Sequence, residues 1–206
     1  MTTFIEVPAS IRSIKLRKLV YGVGINDAGY ITKTATNYCP YYNIWSSMLA
    51  RCYSPKQQLK QPSYIGCTVC IEWLTFSKFK AWMIQQPWQG NEIDKDVILI
   101  NNKIYCPDYC AFIPKCINNL FHTSEHTKKS TLPLGVRAYT TNKGTKYRAT
   151  LRRASLPSID KGGFLTPEEA HAYYLNAKSG YLMYLASTQQ DPRVKAGLLA
   201  WASSFL

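Results

Sequence analysis

The chain has 206 residues, 46% hydrophobic and 13% aromatic, which predicts a folded protein of one or two domains and excludes a disordered one. No apolar run reaches the roughly 18–20 residues that span a bilayer, and residues 1–17 alternate polar and apolar side chains without a signal peptide's apolar core, so the expected location is the cytoplasm, with no membrane partner. Twenty-five Lys and Arg against twelve Asp and Glu give a net charge of +13, and nine basic residues with a single acid lie between Lys128 and Lys161. Concentrated charge of this kind favours a polyanion, because counterion release scales with the number of phosphates one face can contact; a solubilising excess is the plainer alternative.

In chain order, a basic stretch (Arg12, Lys15, Arg17, Lys18) leads into a strand-like run and the turn Asn26-Asp27-Ala28-Gly29. Trp45, Met48, Leu49 and Cys52 recur at helical spacing and predict an amphipathic helix over 41–53, stopped before Ser54-Pro55. A polar loop to Ser63 and a short strand at 68–70 follow. Trp73, Phe76, Phe79, Trp82 and Met83 then place an aromatic stripe, read as core, on a second helix. Val97–Ile100 and Lys103–Tyr105 read as two strands around the turn Asn101-Asn102, and 115–121 as a helix, making a ββα unit.

Residues 122–132 are polar and aperiodic, as in a linker. Three strands are expected beyond it, at 134–139, 146–153 and 158–165, the first pair joined around Asn142-Lys143-Gly144. In the second, Tyr147, Ala149 and Leu151 alternate with Arg148, Thr150 and Arg152, so one face is apolar and the other basic. Thr166-Pro167-Glu168-Glu169 is a helix start with a capping Thr, Pro at the first position and Glu at the third. The fold class is therefore α+β.

Several spaced motifs occur together: Trp45-x-x-Met48-x-x-Arg51-Cys52-Tyr53, Tyr64-Ile65-Gly66-Cys67-Thr68-Val69-Cys70-Ile71-Glu72-Trp73, Ile93-Asp94-Lys95-Asp96, and Tyr105-Cys106-Pro107-Asp108-Tyr109-Cys110 running on to Pro114. With these, residues 38–121 resemble bacteriophage proteins of the HNH homing-endonuclease type. Leu134-Gly135-Val136-Arg137, Tyr147-Arg148-Ala149 and Gly163-Phe164-Leu165-Thr166-Pro167-Glu168-Glu169-Ala170 resemble the plant APETALA2/ethylene-response-factor DNA-binding domain, which also accompanies phage HNH proteins. The resemblances imply four segments: an N-terminal arm at 1–37, an HNH-like ββα core with flanking helices at 38–121, a linker at 122–132, and a three-stranded antiparallel sheet packed on a helix at 133–206.

In the HNH fold the ββα unit grips a divalent ion such as Mg²⁺, which stabilises the leaving oxyanion while a His activates water. By that resemblance Asp94 and Asn118 are the metal residues, and Asp94, Lys95 and Asn118 the catalytic set if the site is active. Lys95, however, stands where the general-base His belongs, and Tyr109 where the middle Asn belongs. A Lys with an unperturbed pKa of about 10.4 is a poor base at neutral pH. In the plant-type domain the sheet enters the major groove, which implies Arg137, Lys143, Lys146, Arg148, Arg152 and Arg153 as DNA-contacting residues.

Seven cysteines, an odd number, predict reduced thiols or a metal site rather than a disulfide framework. Cys67-x-x-Cys70 with Cys106-x-x-x-Cys110 offers four thiolates to a zinc ion, against the alternative of a packed thiol core. His122 and His126 are spaced to clasp a metal on a helix but sit in the polar linker, where solvent exposure is expected; Gly22-x-Gly24 lacks the third glycine of a dinucleotide loop. The expected function is a phage-encoded, double-stranded DNA-binding protein with a degenerate HNH nuclease fold. Two alternatives stand beside it: an active metal-dependent endonuclease, and a phage protein that binds and inhibits a host protein.

Overall fold

The computed structural model describes residues 4–34, 38–121, 131–154 and 156–206. They form an α+β protein of two compact units, the first comprising residues 1–95 and 101–113 and the second residues 96–100 and 114–206.

The first unit is built on aromatic packing. After the short helix α1 (Ile11–Lys15), α2 (Pro40–Tyr53) starts with Pro at its first turn and buries Trp45, Met48, Leu49 and Cys52, the expected stripe. Ser54 ends it and caps the next helix, its hydroxyl accepting from the Gln57 N–H. The stretch expected as a polar loop therefore holds a helix, α3 (Pro55–Lys60), because Ser-Pro is a start signal as well as a stop. β1 (Thr68–Val69) precedes a 3-10 turn over Ile71–Leu74, then α4 (Phe76–Ile84). The aromatic stripe is divided between that turn, which buries Trp73, and α4, which buries Phe76, Phe79 and Met83. The Trp45 indole N–H donates to the Trp73 carbonyl at 2.7 Å, so this buried indole donor is satisfied within the core. Arg17, read from sequence as part of a basic arm, points inward and donates to the carbonyls of Asn26, Ala28 and Tyr30, stapling the 26–30 turn.

β2 (Asn91–Asp94), β3 (Ile104–Tyr105), β4 (Ala111–Pro114) and α5 (Lys115–Phe121) follow. β2 pairs with β4, and β3 pairs in parallel with β1. This corrects the expected hairpin: Val97–Ile100 forms no strand, and the 103–105 segment pairs elsewhere. The turn at Asn101-Asn102 is real, but the Asn102 side chain closes it. Its amide donates to the carbonyls of Lys95 and Ile104, each at 2.8 Å, and its oxygen accepts from the Ile104 N–H. These bonds take the place of a strand ladder. Val97 is fully buried in the second unit, where its carbonyl abuts Gly197 so closely that a Cβ there would collide with it.

The second unit carries the sheet β5 (Val136–Thr141), β6 (Gly144–Leu151) and β7 (Ile159–Phe164), antiparallel throughout and in the order expected. Gly144, at φ 103°, closes the two-residue turn between β5 and β6 in a conformation that favours glycine. α6 (Pro167–Ser187) opens with the full capping box between Thr166 and Glu169 and packs against all three strands. α7 (Pro192–Ser203), capped by Asp191, packs on it. Among the described residues no helix is long and apolar enough to cross a membrane.

Candidate nucleic-acid interface

Period-two alternation sorts the sheet into two faces. Val136, Ala149 and Leu151 are buried on the side of α6, with Ala170 and Tyr174 of that helix also buried. Gly135, at φ 78°, lies so close to the Tyr174 ring that any side chain there would collide, which brings the start of β5 down onto α6. The His171 imidazole meets the Leu134 carbonyl at 2.9 Å, a second tie at the same end.

The opposite face bears Arg137 and Tyr139 from β5, Lys146, Arg148 and Thr150 from β6, and Asp160 and Gly162 from β7. Arg137 and Arg148 are direct cross-strand partners, as are Tyr139 and Lys146. Like charges placed opposite one another destabilise a sheet, so this pairing is a cost that the free fold carries. One acid moderates it: the Arg148 guanidinium pairs with Asp160 at 3.1 Å, both side chains substantially exposed (38% and 54%), and sits 4.6 Å from the centre of the Tyr139 ring. A pair this exposed contributes at most about 1 kcal/mol, so its main effect is orientation. The Arg148 Nε remains shielded and without a hydrogen-bond partner.

Tyr139 reaches across the sheet. Its hydroxyl accepts the Gly163 N–H at 2.9 Å, beside the irregularity where β6 and β7 shift register, and lies where a Cβ on Gly162 would press against it at 3.0 Å. The two adjacent glycines thus let an aromatic ring lie over β7. Sequence reading missed Tyr139, although its position two residues from Arg137, on the same face of the strand, was a usable signal.

The other residues expected to contact DNA divide. Lys143 is exposed at the hairpin tip and Arg152 is exposed just past the end of β6. Arg153 is used internally, its guanidinium donating through two nitrogens to the Pro157 carbonyl.

The residues matched to the nuclease pattern are split between the two units. Asp94 and Lys95 are buried at the end of β2 in the first, and Asn118 lies on α5 in the second. The Lys95 ammonium donates to the Asn102 carbonyl at 2.6 Å, inside the loop that Asn102 closes, so it holds backbone rather than facing a substrate. Among the described residues no three His, Cys, Asp or Glu side chains are grouped to hold a metal ion. Asp94 is buried, and the Lys95 ammonium is engaged by a backbone carbonyl.

Of the four cysteines expected to bind zinc, Cys67, Cys106 and Cys110 are buried and Cys70 partly so. Cys67 lies beside Cys52, whose thiol is pushed up to about 12 by burial and, secondarily, by Cys67. Cys70, Cys106 and Cys110 are electrostatic neighbours. Burial pushes the Cys70 thiol up to about 11 and the Cys110 thiol well above the ordinary value. Burial here favours neutral thiols at Cys70 and Cys110, which pack as small hydrophobes. His122 and His126 lie outside the described residues.

No protein-family profile, no curated protein and no solved structure matches the chain.

Proposed function

We propose that this protein binds double-stranded DNA through the uncovered face of the β5-β6-β7 sheet, as a phage-encoded, cytoplasmic DNA-binding protein whose nuclease-like segment performs no cleavage. The observation that carries this reading is the direct opposition of Arg137 and Arg148 on that face, with Lys146 beside them. A cross-strand Arg pair is unfavourable alone and favourable against a polyanion. Three strands about 4.8 Å apart are about 10 Å across, which suits a major groove about 12 Å wide. Lys143 at the hairpin tip and Arg152 beyond β6 extend the basic surface along the strand direction, where phosphates on either side of a groove lie.

The test is fluorescence anisotropy of a labelled duplex across a salt series, with Mg²⁺ present and the duplex checked on a gel afterwards. The slope of log K against log salt falls by about 0.9 per phosphate contact. Arg137→Ala with Lys146→Ala should flatten the slope by about 2 and weaken binding to all duplexes, while the gel shows intact DNA. Unchanged affinity and slope in the double variant would refute the interface. Cut duplex would refute the silent reading of the nuclease-like segment.

A further inference from the structure

The first unit has a second polar feature, separate from the sheet. Ser46, Ser47 and Arg51 lie on the face of α2 opposite its buried stripe, and with Gln61, Tyr64 and Tyr21 they line a cleft of about 440 Å³. That is the size range of small-molecule sites. Among the described residues no acidic side chain lines it, although Glu92 acts on Arg51 from outside the lining.

Its one cation is held in place. The Arg51 guanidinium donates to the Tyr105 hydroxyl and lies 5.6 Å from the centre of the Tyr64 ring. Burial raises the Tyr105 hydroxyl well above its ordinary value, so it stays neutral and available as an acceptor. Gln57 donates to the Gln61 oxygen at 2.9 Å, fixing that amide with its own N–H donors unspent. Guanidinium, two hydroxyls and an amide form a donor set that matches the several oxygens of a phosphate monoester.

The rim is aromatic on purpose-built backbone. Tyr21 sits at φ 51°, a region bulky residues rarely adopt, within a tight turn closed by Val20 and Gly24 bonding to each other. Gly24 lies so close to Leu49 and Trp45 of α2 that any side chain would collide, which pins the turn on the helix. The consequence is an exposed tyrosine ring held at the mouth of a phosphate-matched cleft.

We propose that this cleft binds a nucleoside 5′-phosphate, Arg51 and the serines taking the phosphate and Tyr21 lying against the base. The shared chemistry is a phosphomonoester next to a base, supplied by a free nucleotide or by the 5′ end of a DNA strand.

The experiment is calorimetric titration of the full chain with dAMP, with deoxyadenosine, and with a 5′-phosphorylated tetranucleotide. Expected are a Kd for dAMP below about 1 mM and binding at least about tenfold weaker without the phosphate. Ser47→Glu places a carboxylate one turn from Arg51 at an exposed helix position, so it tests the site without removing the half-buried Arg51. It should weaken dAMP at least about tenfold, whereas Arg148→Glu, on the sheet, should leave dAMP binding unchanged. A tetranucleotide that binds about tenfold more tightly than dAMP, with the gain lost in Ser47→Glu, identifies a strand end; equal affinity identifies the free nucleotide. The proposal is overturned if dAMP fails to bind at about 5 mM, if deoxyadenosine binds equally well, or if Ser47→Glu leaves the dAMP Kd unaltered.

Discussion

Lys178, near the middle of α6, is the side chain whose replacement should stabilise the fold most. It is 1% exposed, its ammonium lies 4.1 Å from the centre of the Phe205 ring, and no carboxylate pairs with it among the described residues. Burial lowers its pKa from 10.5 to about 8. Lowering a pKa by one costs the charged form about 1.4 kcal/mol, so keeping the folded protein's lysine charged at neutral pH costs about 3 kcal/mol. Below about pH 8 both folded and unfolded chains are protonated and the cost is carried in full. Above that, the folded protein sheds the proton while the unfolded chain keeps it up to 10.5, so stability rises through this window. Lys178→Met keeps the volume and removes the charge, losing only the ring contact. Its advantage over the parent should be about 3 kcal/mol near pH 7 and shrink to about 1.5 near pH 9.5. Urea denaturation followed by circular dichroism at both pH values measures it. A difference that does not change with pH, or a variant less stable near pH 7, would refute the reasoning.

Gly197→Ala should destabilise the second unit by about 2 kcal/mol, because its Cβ meets the Val97 carbonyl, a backbone atom that cannot rotate away; a lower urea midpoint at unchanged m-value is the expected result, and an unchanged midpoint would contradict the packing. Of the seven cysteines only Cys116 is exposed, and burial holds the Cys70 and Cys110 thiols protonated. Limited alkylation of the native protein should therefore modify Cys116 first, and a first adduct on Cys110, read by peptide mass spectrometry, would show that the 106–110 segment opens.

The elements legible in the sequence are those whose signals are local. The alternation from Lys146 to Leu151 gives both the strand and its two faces, since a period of two leaves no choice of side. Thr166-Pro167-Glu168-Glu169 gives the start of α6 because all three capping signals coincide. Val97–Ile100 misleads because a β-branched apolar run marks burial as well as strand pairing; here Val97 is consumed against α7, and an asparagine side chain closes the loop. α3 escapes a search for amphipathic period because it buries nothing. Charge alone does not separate Arg137, which lies open, from Arg153, which is tied to Pro157, or from Arg17, which staples a turn. The cleft around Arg51 was least legible, because its lining comes from three separate stretches of chain that only the fold brings together.

The two costly placements of positive charge in the second unit differ in what can relieve them. Lys178 is sealed under Phe205, beyond the reach of any polyanion, so only a proton loss or a substitution relieves it. The opposition of Arg137 and Arg148 lies on the face that α6 leaves uncovered, where phosphate can reach it. Asp160 already neutralises one member, yet no acid stands in the position across from Arg137, where Arg148 is placed. A sheet optimised only for stability would set a carboxylate or a threonine at one of these two positions, as Thr150 is set opposite Asp160 one pair along. On the proposed reading, repulsion on an open face would also make binding selective for charge: the register sets two arginines directly across from one another, and an anion that bridged them would gain from both. Tyr139 and Asp160 orient Arg148 in the free sheet, which on the proposed reading would lower the entropy lost on binding. The same geometry that weakens the free sheet is what the proposed contact with a phosphate backbone would relieve.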